Sequence, residues 1–207
     1  MKSVRRLKDK YDQVSSVYIS QAMQQQMLST PDTSTLIGLR DKAILYVFFG
    51  TGCRISELCN LQIKDYRTDA DIEGTYTILE FKLKGGRHNK MAISLNLKNV
   101  IDQFVSLSGH SENEEAPLFP SFSRRNRADQ LTKELTRQAV FKIWNKYCPV
   151  DNATPHSARA SFTTNAFKRD LPLQDIQNTL GHRNPKTTLM YNKSEKCYRK
   201  SAALTAI

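Results

Sequence analysis

Apolar positions along the chain fall into blocks with two different periods. From Ile19 the spacing is helical, with Met23 and Met27 four apart and the glutamines between them facing out. Thr30-Pro31-Asp32-Thr33 reads as a turn. Residues 40–49 predict a helix apolar on every side, hence buried, which Gly50-Thr51-Gly52 stops. Ile55, Leu58 and Cys59 restart a helical stripe. Residues 75–84 then switch to period two: Leu79, Phe81 and Leu83 point one way, Glu80, Lys82 and Lys84 the other. Gly85-Gly86 opens a turn, and Met91, Ile93 and Leu95 resume the alternation, so 75–95 is expected to form a hairpin with a loop longer than two residues.

Helical periodicity returns over 100–107 and 138–147, with a Pro- and Ser-bearing loop at 114–123 between them. Thr154-Pro155 supplies an N-cap and a first-turn proline for a helix whose apolar stripe is Ala158, Phe162 and Ala166. Pro172 opens another, with Leu173, Ile176 and Leu180 inward and Gly181 at its left-handed end. Asn184-Pro185 caps a last helix that carries Thr187, Thr188 and Tyr191. The expected class is mainly α with a small antiparallel β-sheet, an α+β fold. The acids Asp65, Asp69, Asp71 and Glu73 have little apolar support and read as a solvated connection.

Composition narrows the function. Among 207 residues, 31 Lys and Arg outweigh 20 Asp and Glu, a net charge of +11, which points to a polyanionic partner such as nucleic acid. The charge is uneven: residues 1–10 hold five basic side chains and residues 183–200 hold six. The longest clean apolar run, 43–49, is far short of the ~20 residues of a membrane span. The basic N-terminus leads into no apolar signal region, so the expected location is cytoplasmic, without membrane contact. Cys53, Cys59, Cys148 and Cys197 form no CxxC pair and lie at no ligand spacing from a histidine, so they read as buried reduced thiols. No phosphate-binding P-loop and no carboxylate cluster suited to a metal-dependent nuclease stands out, and no cofactor is expected.

Five strings occur in a telling order: Gly52-Cys53-Arg54-Ile55-Ser56-Glu57-Leu58, Lys84-Gly85, His156-Ser157-Ala158-Arg159, Leu180-Gly181-His182, and Thr187-Thr188-Leu189-Met190-Tyr191. Together they resemble the catalytic domain of the tyrosine recombinase, or phage integrase, family, over roughly Ile19 to Tyr191. Departures from the family pattern are Cys53 and Ala158 at packing positions and Ala160, where many members carry a polar donor.

The resemblance implies a site-specific DNA recombinase that cleaves and rejoins DNA without metal or ATP. Its catalytic set would be Arg54, Lys84, His156, Arg159, His182 and Tyr191. Tyr191 would attack the scissile phosphate and form a 3′-phosphotyrosyl bond, which preserves the bond energy for religation. Arg54 and Arg159 suit a phosphate clamp because guanidinium forks donate bidentately. His156 is expected to assist proton movement, His182 to support the phosphate, and Glu57 to orient Arg54. Lys84 is the candidate general acid for the departing 5′ oxygen, with Arg87 and Lys90 in the same loop as alternatives. The implied partners are double-stranded DNA, further copies of the chain in a tetramer, and accessory DNA-bending proteins.

A catalytically silent DNA-binding protein of the same fold and a type IB topoisomerase-like activity are the alternatives. Two-domain members place a helical DNA-clamping domain ahead of the catalytic one, and a resemblance that starts near Ile19 leaves no room for it. The expected organisation is a basic leader (1–18) followed by one catalytic domain (19–207) that ends in a tail (192–207).

Overall fold

The computed structural model describes residues 16–83, 85–122 and 133–194. Lys84, most of the basic leader, Cys197 and most of the tail lie outside the described residues. The helices among them are α1 (Gln21–Ser29), α2 (Leu36–Thr51), α3 (Ile55–Cys59), α4 (Leu95–Ser108), α5 (Arg137–Tyr147), α6 (Pro155–Lys168), α7 (Leu173–Thr179) and α8 (Pro185–Met190). Strands β1 (Tyr66–Ala70), β2 (Thr75–Lys82) and β3 (His88–Ala92) form one antiparallel sheet in the order β1-β2-β3. None of the described helices is long and apolar enough to cross a membrane.

The core forms around α2. Thr35 caps its start by accepting from the Gly38 N–H, and Ala43, Ile44, Leu45, Val47 and Phe48 are completely buried. Helices α4 and α6 pack along it. Trp144 of α5 meets Phe48 edge to face at 5.9 Å and donates its indole N–H to the Ala153 carbonyl. A smaller cluster of Ala166, Ile176 and Leu180, with Phe162 and Phe167 against it, joins α6 to α7. Helix α6 is buried well beyond its predicted stripe, because Ser157, Ala158, Ala160, Ser161, Thr163 and Thr164 are small enough to let neighbours close around it.

The hairpin register pairs Leu79 with Met91 and Phe81 with Asn89, and Leu79, Phe81 and Leu83 are buried as the alternation predicts. Two expectations need correction. The acidic stretch after Asp65 is not simply a connection: Tyr66–Ala70 is strand β1, with Asp69 opposite Tyr76. As a sheet edge bonded on one side, it needs no continuous apolar face. The hairpin also ends at Ala92, not residue 95, and α4 starts at Leu95 instead of Val100. Ser94 accepts from the Leu97 N–H, and this cap overrides the strand alternation, leaving Leu95 exposed.

Candidate active site

The site is assembled where α2 ends. Gly52 adopts φ +62°, which terminates α2 in the left-handed conformation, and a Cβ there would stand 3.0 Å from the Phe162 ring. Two residues on, Arg54 caps α3. Its backbone N–H donates to Glu57 Oε2 (2.7 Å) and its Nη1 to Glu57 Oε1 (2.5 Å). Glu57 is buried while the Arg54 side chain keeps 36% of its surface, so the carboxylate holds the guanidinium from beneath with its outer edge toward solvent.

Arg159 lies one layer deeper, with no exposed surface. Its Nη1 donates to the Gly52 carbonyl (2.6 Å), and its Nη2 meets both the Leu180 carbonyl (2.9 Å) and His182 Nε2 (2.6 Å). Its Nε is buried without a partner. Burial and the nearby charge of Arg54 lower its pKa to about 10, so it remains a cation at neutral pH. An arginine only donates, so His182 Nε2 accepts and the proton sits on Nδ1, where it donates to Thr188 Oγ1 (2.9 Å). Burial, then Arg159 and Arg54, push the His182 pKa down to about 3.

Tyr191 completes this stack. Its ring lies nearly parallel to that of His182 (centroids 5.7 Å apart, 11°), and Arg159 Cζ is 5.6 Å from its centre. Thr164 Oγ1 on α6 donates to the Tyr191 carbonyl and accepts from the Lys193 N–H, fixing the backbone on either side of Asn192. Tyr191 is 7% exposed and, with His182, covers Arg159. His156, on the first turn of α6, keeps part of its surface in solvent. Partial burial, with Arg159 and Arg54, lowers its pKa, so it is neutral at pH 7.

A cleft of about 510 Å³ opens in front of Arg54, lined also by Ser56, Glu57, Asn60, Lys82, Leu83, Arg87 and Gly181. Four expected site residues, Arg54, Arg159, His182 and Tyr191, thus converge, and His156 feels the charge of both arginines. Lys84 lies outside the described residues. Of its alternatives, Arg87 lines the cleft, whereas Lys90 is ion-paired with Asp69 (2.8 Å) on the outer face of the sheet. Both His182 nitrogens are engaged inside the protein, so in this state it orients Arg159 and carries no free donor. Sequence reasoning overlooked Lys82, which bonds Gln62 Oε1 at the cleft wall, and Thr188, which fixes the His182 tautomer. The polar phase of β2 and the paired threonines ahead of Tyr191 were the available signals.

Residues 18–197, most of the chain, match the phage integrase family. The chain belongs to that family. Among curated relatives, it is 36% identical to tyrosine recombinase XerA of Pyrococcus horikoshii over 155 residues, which is 75% of this chain and 50% of the relative. It is 31% identical to tyrosine recombinase XerD of Chlamydia trachomatis over 169 residues, 80% of this chain and 52% of that protein. The chain therefore spans about half the length of these relatives. Among solved structures, a crystal structure of XerA recombinase superposes with a TM-score of 0.67 at 21% identity, covering 87% of this chain and 59% of that one. The pre-cleavage complex of XerH bound to difH gives 0.67 at 18%, covering 92% and 54%. This family member thus has the fold of tyrosine recombinase catalytic domains: mostly helical, with a three-stranded antiparallel sheet.

Proposed function

We propose that the protein is a site-specific recombinase that cleaves and rejoins double-stranded DNA through Tyr191. The supporting observation is the stack of Tyr191 on His182 and Arg159, beside a cleft whose wall carries Arg54. Phosphoryl transfer at a diester needs a nucleophile, cations for the charge on the non-bridging oxygens, and a proton for the leaving oxygen. Tyr191 Oη would bond to phosphorus, and the bond from phosphorus to the 5′ oxygen would break. A hairpin cation, Lys84 or Arg87, would protonate that oxygen. Neutral His156 would take the phenolic proton, since a phenol with a reference pKa of about 10 is a weak nucleophile at pH 7.

Arg54 would meet the phosphate first. Arg159 would engage it as Tyr191 lifts from its covering position to attack, and His182 would hold Arg159 in place. In the reverse reaction a 5′ hydroxyl attacks the phosphotyrosine, whose bond energy replaces ATP. Four copies would act on two duplexes during strand exchange, with bending of the DNA by accessory proteins.

The test uses nicked suicide duplexes drawn from a randomised pool. Wild-type protein is expected to form a covalent 3′ adduct, and Tyr191→Phe to form none. An adduct that persists in Tyr191→Phe overturns the nucleophile assignment. DNA binding without any adduct points to the silent DNA-binding reading. Relaxation of supercoiled plasmid without sequence preference points to the topoisomerase reading.

A further inference from the structure

We propose that Asn89 is a positioning residue that sets the leaving-group side of the site against its phosphate side; the proposal rests on the recombinase reading above. Two structural halves meet here. One is the hairpin tip: the Leu83 N–H donates to the Arg87 carbonyl (2.7 Å), closing the loop, with Lys82 and Arg87 at the cleft wall. The other is the turn after α7, which supplies the Leu180 carbonyl to Arg159 and then His182 itself. Strand β3 is a sheet edge, so hydrogen bonding within the sheet fixes it on one side only.

From the face that β3 turns toward the core, Asn89 Nδ2 adds a second tether by donating to the Thr179 carbonyl at 2.8 Å. The carbonyls at a helix C-terminus lack partners inside the helix and must find them elsewhere. Those of α7 do so in order. Ile176 accepts from the Leu180 N–H, Gln177 from His182 and Asn178 from Gly181, and Thr179 accepts from Asn89. The hairpin therefore supplies the last partner of the helix that leads into His182. Beside that bond, Leu83 packs against Gly181, where a Cβ would stand 2.7 Å from Leu83 Cδ1.

The strand pattern makes the side chain unusual. Asn89 shares a face with the buried Met91, a position where a β-branched apolar residue would suit the sheet better. A half-buried amide at such a position calls for a hydrogen-bonding partner, and this one bonds to the turn that carries the phosphate-side residues.

The test separates positioning of the proton donor from general loss of structure. When the 5′ oxygen leaves, the electron pair of the broken bond needs a proton. When a 5′-bridging sulfur replaces it, the pair leaves as a thiolate that needs none, since thiols ionise near pH 8.5. Single-turnover cleavage is measured on a nicked duplex selected by adduct formation, in oxygen and sulfur versions. Asn89→Leu is expected to slow cleavage of the oxygen substrate by about 10- to 100-fold, a part of the roughly 100- to 10,000-fold that a well-placed general acid contributes. On the sulfur substrate it should stay within roughly threefold of wild type on the same reasoning.

Asn89→Asp, which keeps the shape but removes the donor, carries the same expectation if the leucine variant fails to fold. Equal loss on both substrates, or no loss on either, overturns the proposal while leaving the recombinase reading intact. A wild-type protein that cleaves neither substrate overturns that reading and this proposal together.

Discussion

His182 is kept neutral by its position under Tyr191 and beside Arg159, and this has a consequence for stability. Its pKa falls from 6.5 in the unfolded chain to about 3 in the folded one. Below pH 6.5 the unfolded state takes up a proton that the native state refuses, so stability present above that pH is lost as pH falls toward the folded value. His110, buried and bonded to Ser108 and to the Pro117 carbonyl, and His156 are lowered in the same direction. Carboxylates with depressed values, such as Glu80 held down by Arg67, act in the more acid range below their reference of 4.5, so the window just under neutrality belongs to the histidines. Urea unfolding followed from pH 6.5 to about 5 should lose about 2 kcal/mol from His182 alone, by 1.36 kcal/mol per pH unit. His182→Gln, which can still accept from Arg159 without titrating, should flatten that slope; an unchanged slope would contradict the account of the ring.

Element boundaries and contacts decide what the sequence can announce in advance. Helix α2, α6 with its Thr154-Pro155 start and the Leu79-Phe81-Leu83 face were legible because period, cap and burial all agree there. Strand β1 was not, since an edge strand rich in charge, Arg67 and Asp69 among its residues, gives no apolar rhythm. In the site, Arg54, Arg159, His182 and Tyr191 were legible as motif residues, whereas Thr188 and Asn89 act through partners distant in sequence or through a tautomer, which spacing does not display. The contact between the hairpin and the α7 turn can be weighed directly. Gly181 and Gly109 both have positive φ (63° and 67°), but a Cβ at Gly109 meets nothing within 4 Å, whereas at Gly181 it meets Leu83. Gly109→Ala should therefore cost about 1 kcal/mol of left-handed strain, and Gly181→Ala that strain plus about 1–2 kcal/mol of overpacking. Thermal or urea unfolding of the two variants measures the difference, and equal costs would mean that the hairpin is not pressed against that turn.

At the scale of the whole molecule, a charge of +11 acts on DNA only through cations free to meet phosphates. Several are not: Lys64 pairs with Glu115, Lys90 with Asp69, Lys98 with Asp102 and Arg67 with Glu80. These pairs leave the sheet's outer face and its surroundings close to neutral. At the cleft, Arg54 shares its charge with Glu57, while Lys82 bonds the neutral Gln62, and neither Lys82 nor Arg87 has an ion-pair partner among the described residues. Lys82 and Arg87 thus stand free of carboxylates beside Arg54, where the reacting phosphate and its neighbours would lie. Each phosphate neutralised on a duplex releases counterions and adds about −0.9 to the slope of log K against log salt. Anisotropy titrations of a labelled duplex over a potassium chloride series should give a steep slope for the wild type. Arg87→Ala and Lys82→Ala should each make it shallower by about one. Lys64→Ala and Lys90→Ala should change it much less, because removing either cation frees a carboxylate without removing a phosphate contact. A slope untouched by Arg87→Ala but reduced by Lys90→Ala would move the DNA-binding face from the cleft to the outer side of the sheet, away from Tyr191.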